Sequence, residues 1–278
     1  MTPRPLYWSI RREFWENRSL YLAPLIIAFV ALLSFSVSSY RLPRTIAGLS
    51  ALTPARQEMA VFKPYSMAAS MILFFSFVVG AFYCLDALYG ERRDRSILFW
   101  KSLPVSDRTT VLSKALIPTA VLPLLAFTVA LTTQLIMLLL GSIALITRGV
   151  NPIELWSRLQ LPGSTLVMFY GVAAHALWWA PLYAWILLVS AWAKRAVLLW
   201  VVMPFVAISA VERMLGGSWF ASLIKYRLGG ALKEGFTNNL MTATPVNFLS
   251  TPGLWTGLIF AAACIAAAIR LRRNREPI

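Results

Sequence analysis

The sequence predicts an all-α polytopic membrane protein with six transmembrane helices, on three observations. Fifty-nine percent of the 278 residues are hydrophobic and only 13% are charged, about half the charge of a soluble domain. The apolar residues gather into runs of the roughly 20 residues needed to cross a hydrocarbon layer about 30 Å thick. The basic residues divide unevenly between the segments joining those runs. The whole chain, 1–278, reads as one transmembrane domain.

Residues 1–18 are too polar to cross and do not have the form of a cleavable signal peptide. On a helical wheel Leu6, Tyr7, Ile10 and Phe14 share a face, flanked by Arg4 and Arg11, with Trp8 and Trp15 on its shoulder. An amphipathic interfacial helix satisfies this pattern, with its aromatic rings at headgroup depth. A basic leader that only enforces orientation is the alternative. The first span is expected from Leu20 to Tyr40 and the second from Ser66 to Tyr89. The third apolar stretch, Ala115 to Ile146, is unusually long, about 48 Å at the rise of an α-helix. With no polar hairpin inside it, it reads as one tilted or projecting helix, kinked at Pro118 and Pro123. The fourth span is expected over Thr165–Ala191, the fifth over Ala196–Val211 and the sixth over Leu254–Ile269. Between the last two, residues 212–253 are broken by Gly216-Gly217 and Gly229-Gly230. Short extracellular helices dipping part-way into the membrane, or an ordinary surface loop, both fit.

Six spans put both termini on one side. The termini and the connections on their side hold Arg4, Arg11, Arg12, Arg18, Arg92, Arg93, Arg95, Lys101, Arg108, Lys114, Lys194, Arg195, Arg270, Arg272, Arg273 and Arg275. The other side holds Arg41, Arg44, Arg56, Lys63, Arg148, Arg158, Arg213, Lys225, Arg227 and Lys233. That is sixteen against ten, and the ten are spread over longer loops. The denser side is therefore expected to be cytoplasmic. The same rule accounts for the net charge of +15 without a nucleic-acid partner. Cys84 and Cys264 both fall inside apolar runs and read as packing residues.

The connection between the second and third spans, residues 90–108, is the most informative segment. A plain loop would be polar throughout. Here a charged cluster, Glu91, Arg92, Arg93, Asp94 and Arg95, is followed by Ile97, Leu98, Phe99, Trp100, Lys101 and Leu103, then Pro104. Ser106 and Asp107 stand where they would cap the next helix. Apolar and aromatic side chains displayed in the cytosol suggest a docking surface for a soluble partner; an interfacial helix resting on lipid is the plainer alternative.

Glu91-Arg-Arg-Asp-Arg-Ser-Ile, then Trp-Lys-Ser-Leu-Pro-Val-Ser, then Lys114, resembles the signature of type-2 ABC exporter permeases. The order of an amphipathic N-terminal helix, six spans and short extracellular helices before the last span is also similar to that family. The resemblance implies that Glu91 through Arg95 and Ile97 through Pro104 form a coupling helix against an ATPase subunit, which the N-terminal helix would brace. It implies two ATPase copies and a second permease chain, as homodimer or heterodimer, in a bacterial inner membrane. This chain lacks a Gly-x-x-x-x-Gly-Lys-Ser/Thr loop, so ATP and Mg²⁺ belong to the partner and no cofactor is expected here. The substrate implied is a lipid, drug or peptide of hydrophobic or amphipathic character.

The polar residues inside the spans are the remaining candidates. Asp86 is placed to pair with the adjacent basic cluster or to meet substrate. His175 and Gln134 read as hydrogen bonds between helices; one histidine without clustered carboxylates or thiols makes no metal site. An intramembrane enzyme is disfavoured by the absence of a His-Glu-x-x-His or Gly-x-Ser-x-Gly motif. A stand-alone ion-coupled transporter is the second reading, and would call for midplane carboxylates and an internal repeat.

Overall fold

The computed structural model describes residues 5–48, 53–96, 105–159, 161–235 and 248–274. Among these residues every regular element is helical. That follows from the apolar runs, because in hydrocarbon each backbone N–H must find its partner within its own segment. Six of the helices are long and apolar enough to cross a membrane, and each predicted span lies on one of them.

The N-terminal helix, Pro5–Glu16, is followed two residues later by the first span, Ser19–Ser38. A 3-10 turn, Ser39–Arg41, and a short helix, Leu42–Ala47, extend it. The second span is a single helix, Pro54–Ala87, and so begins well before Ser66. Hydropathy sees only the part of a helix that lipid must cover; Arg56, Lys63 and even Pro64 ride on its polar extension.

The third span follows one helical path from Asp107 to Ile146. The expected proline kinks take a specific form there. Residues Ile117–Val121 form a π-helical turn, with the Leu122 N–H donating to the carbonyl of Ile117 five residues back. Pro118 has no N–H to give, so widening the turn redistributes the donors that remain. The Thr119 hydroxyl donates to the Ala115 carbonyl at 2.7 Å. A short helix, Ile153–Leu159, then precedes the fourth span, Leu161–Trp192.

The fifth span, Val197–Met214, opens at Ala196 with φ 51° and closes at Gly216 with φ 74°. Gly216 suits the left-handed position that ends a helix, and the Gly217 N–H donates to the Glu212 carbonyl at 2.9 Å. The Glu212 carboxylate then caps the next helix, Trp219–Gly235, accepting from the N–H groups of Phe220 and Ala221 at 2.6 and 3.1 Å. Gly216-Gly217 is thus a true break, but Gly229-Gly230 is not: both glycines lie inside that helix. Each costs roughly 1 kcal/mol against alanine, and docking offsets it. The Arg227 guanidinium rests 4.4 Å from the Trp178 ring centroid, the Trp178 indole donates to the Arg227 carbonyl at 2.7 Å, and Arg227 donates to the Gly253 carbonyl at 2.7 Å. The sixth span is Pro252–Asn274.

The chain forms two compact units, Met1–Leu20 with Val78–Leu122 and Ala173–Ile278, and Tyr21–Phe77 with Pro123–Val172. In the second unit, Phe35, Tyr65, Met137, Leu138, Leu145 and Leu155 make one core. Ala28, Ala69, Ala126 and Ala130 pack around Ile72 in another, where small side chains let helix backbones approach closely. In the first unit Gly80 does the same for Leu122 and Tyr183, whose side chains lie within 3.2 Å of where a Cβ would stand.

Candidate functional site

Six charged side chains from four helices meet in the first unit. Glu13 comes from the N-terminal helix and Glu91 from the short helix Tyr89–Arg93 that follows the second span. Lys114 and Asp107 come from the start of the third span, and Arg272 from the end of the sixth. Arg12, beside Glu13, is the sixth. Lys114 Nζ lies 2.8 Å from Glu13 Oε1 and 3.3 Å from Glu91 Oε1, so two carboxylates share one ammonium. Arg12 bridges the same pair, at 3.0 Å to Glu13 and 3.4 Å to Glu91. Arg272 bonds to the other oxygen of Glu91 and reaches Asp107 Oδ1 at 3.0 Å through Nε. The Tyr83 hydroxyl donates to Glu13 Oε2 at 2.8 Å.

Three cations thus face three anions, and the centre is dry: Glu13 is 1% exposed, Lys114 3%, Arg272 5% and Glu91 8%. Charges taken out of water to that degree are tolerated only when paired and hydrogen-bonded, and here each buried carboxylate has several donors. Burial alone would raise the Glu13 carboxyl. The charge and hydrogen bond of Lys114, the Tyr83 hydroxyl and Arg12 outweigh it, and the Glu13 pKa falls below its ordinary value.

Local sequence explains how each member arrives. Ser106 caps the third span, its Oγ accepting from the Thr109 N–H at 3.1 Å, as the sequence predicts. That cap fixes Asp107 in the first turn and Lys114 two turns on. The short helix carrying Glu91 is held by Ser190 of the fourth span. The Ser190 hydroxyl accepts from the N–H groups of Leu88 and Tyr89 at 3.2 and 2.9 Å and donates to the Leu85 carbonyl at 2.9 Å. Arg92 lies beside it, buried, donating to the carbonyls of Ser190, at 3.1 Å, and Ala193 at the end of the fourth span. A cation on terminal carbonyls also complements the helix dipole.

The charged cluster read as a docking surface therefore divides. Glu91 and Arg92 point inward and spend their hydrogen bonds inside the protein. Arg93, Asp94 and Arg95 point outward, with Arg93 on Asp94 at 3.0 Å and on Asp86 at 3.8 Å. Asp86 is exposed and in that ion pair. Arg95 takes a left-handed φ of 57° and turns the chain out of the helix. Ile97, Leu98, Phe99, Trp100, Lys101, Leu103 and Pro104 lie outside the described residues.

The remaining candidates act separately. Gln134 donates to the Tyr65 carbonyl at 3.3 Å, a link between the third and second spans in the second unit. His175 packs against the Trp179 ring, centroids 5.7 Å apart. Among the described residues no group of three His, Cys, Asp or Glu side chains is placed to hold a metal ion.

Sequence reasoning missed Glu13, Tyr83 and Ser190, gave Arg272 only a bulk role in orientation, and used Lys114 for orientation and as part of the family signature without an ion-pair partner. It read the N-terminal helix for the face it turns to lipid and named no side for the protein. Glu13 is the buried residue of that helix, Ile10 and Phe14 are half-buried and Tyr7 is exposed. Glu13 was legible in principle: a carboxylate between Arg12 and the aromatic Phe14 has partners to find. Comparisons with family models, curated proteins and solved structures found no match to this chain.

Proposed function

We infer that this protein is the membrane-spanning permease subunit of an ATP-driven ABC exporter. It would move a hydrophobic or amphipathic substrate out of the cytoplasm, drawing on ATP and Mg²⁺ held by a separate ATPase. The observation that carries the reading is the connection of Glu91. Glu91 opens the segment that resembles a coupling helix, and it bonds Arg12, Lys114 and Arg272. A push on the exposed Arg93, Asp94 and Arg95 is handed at once to the N-terminal helix and to the third and sixth spans. Rigid, charge-locked elements suit such transmission, because they move as units. The π turn at Ile117–Val121 suits it too, since such turns occur frequently at functional sites.

In this reading Arg93, Asp94, Arg95 and the residues through Pro104 meet the ATPase, while Glu91 and Arg92 hold the segment in place. Two ATPase copies act on two permease chains, in an inner membrane, with both termini cytoplasmic.

Gentle detergent extraction and co-purification test the proposal. An ATPase polypeptide is expected at one copy per chain, lost on Trp100→Ala or on reversing Arg93 and Arg95 to glutamate. Intact, monodisperse protein that brings down no ATPase would sink it and return the stand-alone transporter to the front.

A further inference from the structure

The N-terminal helix has a second face, turned away from Glu13. Tyr7, Trp8, Arg11 and Trp15 lie along it, all exposed, at the spacing that makes one stripe on a helix. The Arg11 guanidinium is stacked between two indoles, 5.3 Å from the Trp8 ring centroid and 5.0 Å from that of Trp15. Tyr7 meets Trp8 edge-on at 5.5 Å. Arg11 makes no ion pair with any described residue, and Glu16, the carboxylate nearest this stripe, is engaged by Arg12 at 3.4 Å. Arg18 follows, also exposed. The outward side is therefore aromatic and positive, with its planar rings and guanidinium already ordered.

Two facts say what such a face meets. Only Asn17 and Arg18 separate the helix from the first span at Ser19, a tether of about 10 Å at full extension. The helix therefore cannot leave the surface of any bilayer that the span crosses. Glu13, locked to Lys114 and Tyr83 on the opposite side, also stops the helix from rolling its aromatic face elsewhere. Indole and phenol rings favour headgroup depth, and a guanidinium with free N–H edges matches phosphate oxygens.

We propose that the Tyr7–Trp8–Arg11–Trp15 face docks on anionic phospholipid headgroups, with Arg11 on phosphate and the two indoles seated among the headgroups. The proposal is independent of the ATPase reading, because the chain alone suffices for it.

The test uses the purified full chain in nanodiscs of phosphatidylcholine, with or without phosphatidylglycerol. An environment-sensitive fluorophore is placed at Tyr7→Cys, against the unlabelled-site parent as control for the two buried native cysteines. Phosphatidylglycerol is expected to shield the probe from aqueous iodide and expose it to quenchers carried on lipid headgroups. Arg11→Glu should weaken that lipid-dependent docking about fivefold or more, as loss of one basic side chain at an anionic surface predicts. Arg148→Glu, an exposed change elsewhere, should leave it intact, and free inorganic phosphate should not substitute for the lipid. Equal iodide access in both lipids, or an Arg11→Glu protein of unchanged melting temperature that still docks, would overturn the proposal. So would shielding seen in native membrane vesicles and absent from both nanodiscs, which would give the face to a protein.

Discussion

Lys114 is the ammonium that Glu13 and Glu91 share, at 2.8 and 3.3 Å, and it is 3% exposed. Lys114→Met keeps the length and apolar stem of the side chain but removes its charge. Glu13 then keeps Arg12 and the Tyr83 hydroxyl, and Glu91 keeps Arg12 and Arg272, so neither carboxylate is wholly stranded. Removing one partner from a buried ion pair costs about 3–5 kcal/mol, and the surviving donors place this change near the lower end. For a chain of this size ~3 kcal/mol lowers the apparent melting temperature by roughly 6–12 °C. A thermal scan of intrinsic fluorescence in detergent reads this directly, the chain having 11 tryptophans. The decisive variant is the double change Lys114→Met with Glu13→Gln. Neutralising one of the two carboxylates that lost the ammonium should recover part of the loss, so the combined effect should fall short of the sum by at least about 1 kcal/mol, as coupled neighbours do. Simple additivity, or a single-variant shift below about 2 °C, would refute the claim that this network holds the four helices together.

Acid should loosen the same network. The Glu13 pKa is depressed in the folded protein, so its contribution is complete above the ordinary glutamate value of about 4.3 and is lost as pH falls through the lower folded value. Wild-type and Glu13→Gln melting temperatures, well separated at neutral pH, should therefore converge below about pH 4. A separate change probes the helix Trp219–Gly235. A Cβ on Gly257 would collide with the Arg227 guanidinium, so Gly257→Ala and Arg227→Ala should expose this helix to protease alike, and the double variant should be no worse than either. Additive proteolysis rates would mean that the two residues stabilise the helix independently.

What was legible in the sequence was what chain neighbours encode. Twenty-residue apolar runs announce spans because lipid imposes one length and one conformation, and all six fell where hydropathy placed them. Ser106 was readable as a cap because capping is a four-residue affair. Lengths beyond the hydrocarbon, as at Pro54, and the helix through Gly229-Gly230 were not, because polar surroundings and a docked Arg227 decide them. The ion network was legible only in its middle. Tyr83 bonds Glu13 across 70 positions, Lys114 across 101, and Arg272 bonds Glu91 across 181; no local pattern links residues so far apart. Arg92 was misread for the same reason: its charge advertised a surface, while its partners, the carbonyls at the end of the fourth span, carry no sequence signal at all.

The order in which the network's members leave the ribosome gives it a role in assembly. Arg12, Glu13, Glu91, Asp107 and Lys114 all precede Arg272 by more than half the chain. Until Arg272 arrives, two cations face three anions, and Glu91 lacks the guanidinium on its second oxygen. The early helices therefore hold an excess negative charge that cannot be buried at low cost, and only insertion of the final helix in the right orientation discharges it. A chain truncated before Arg272, or with its last helix reversed, would keep that charge wet and its first helices loose. It would be open to the membrane proteases that remove unfinished proteins.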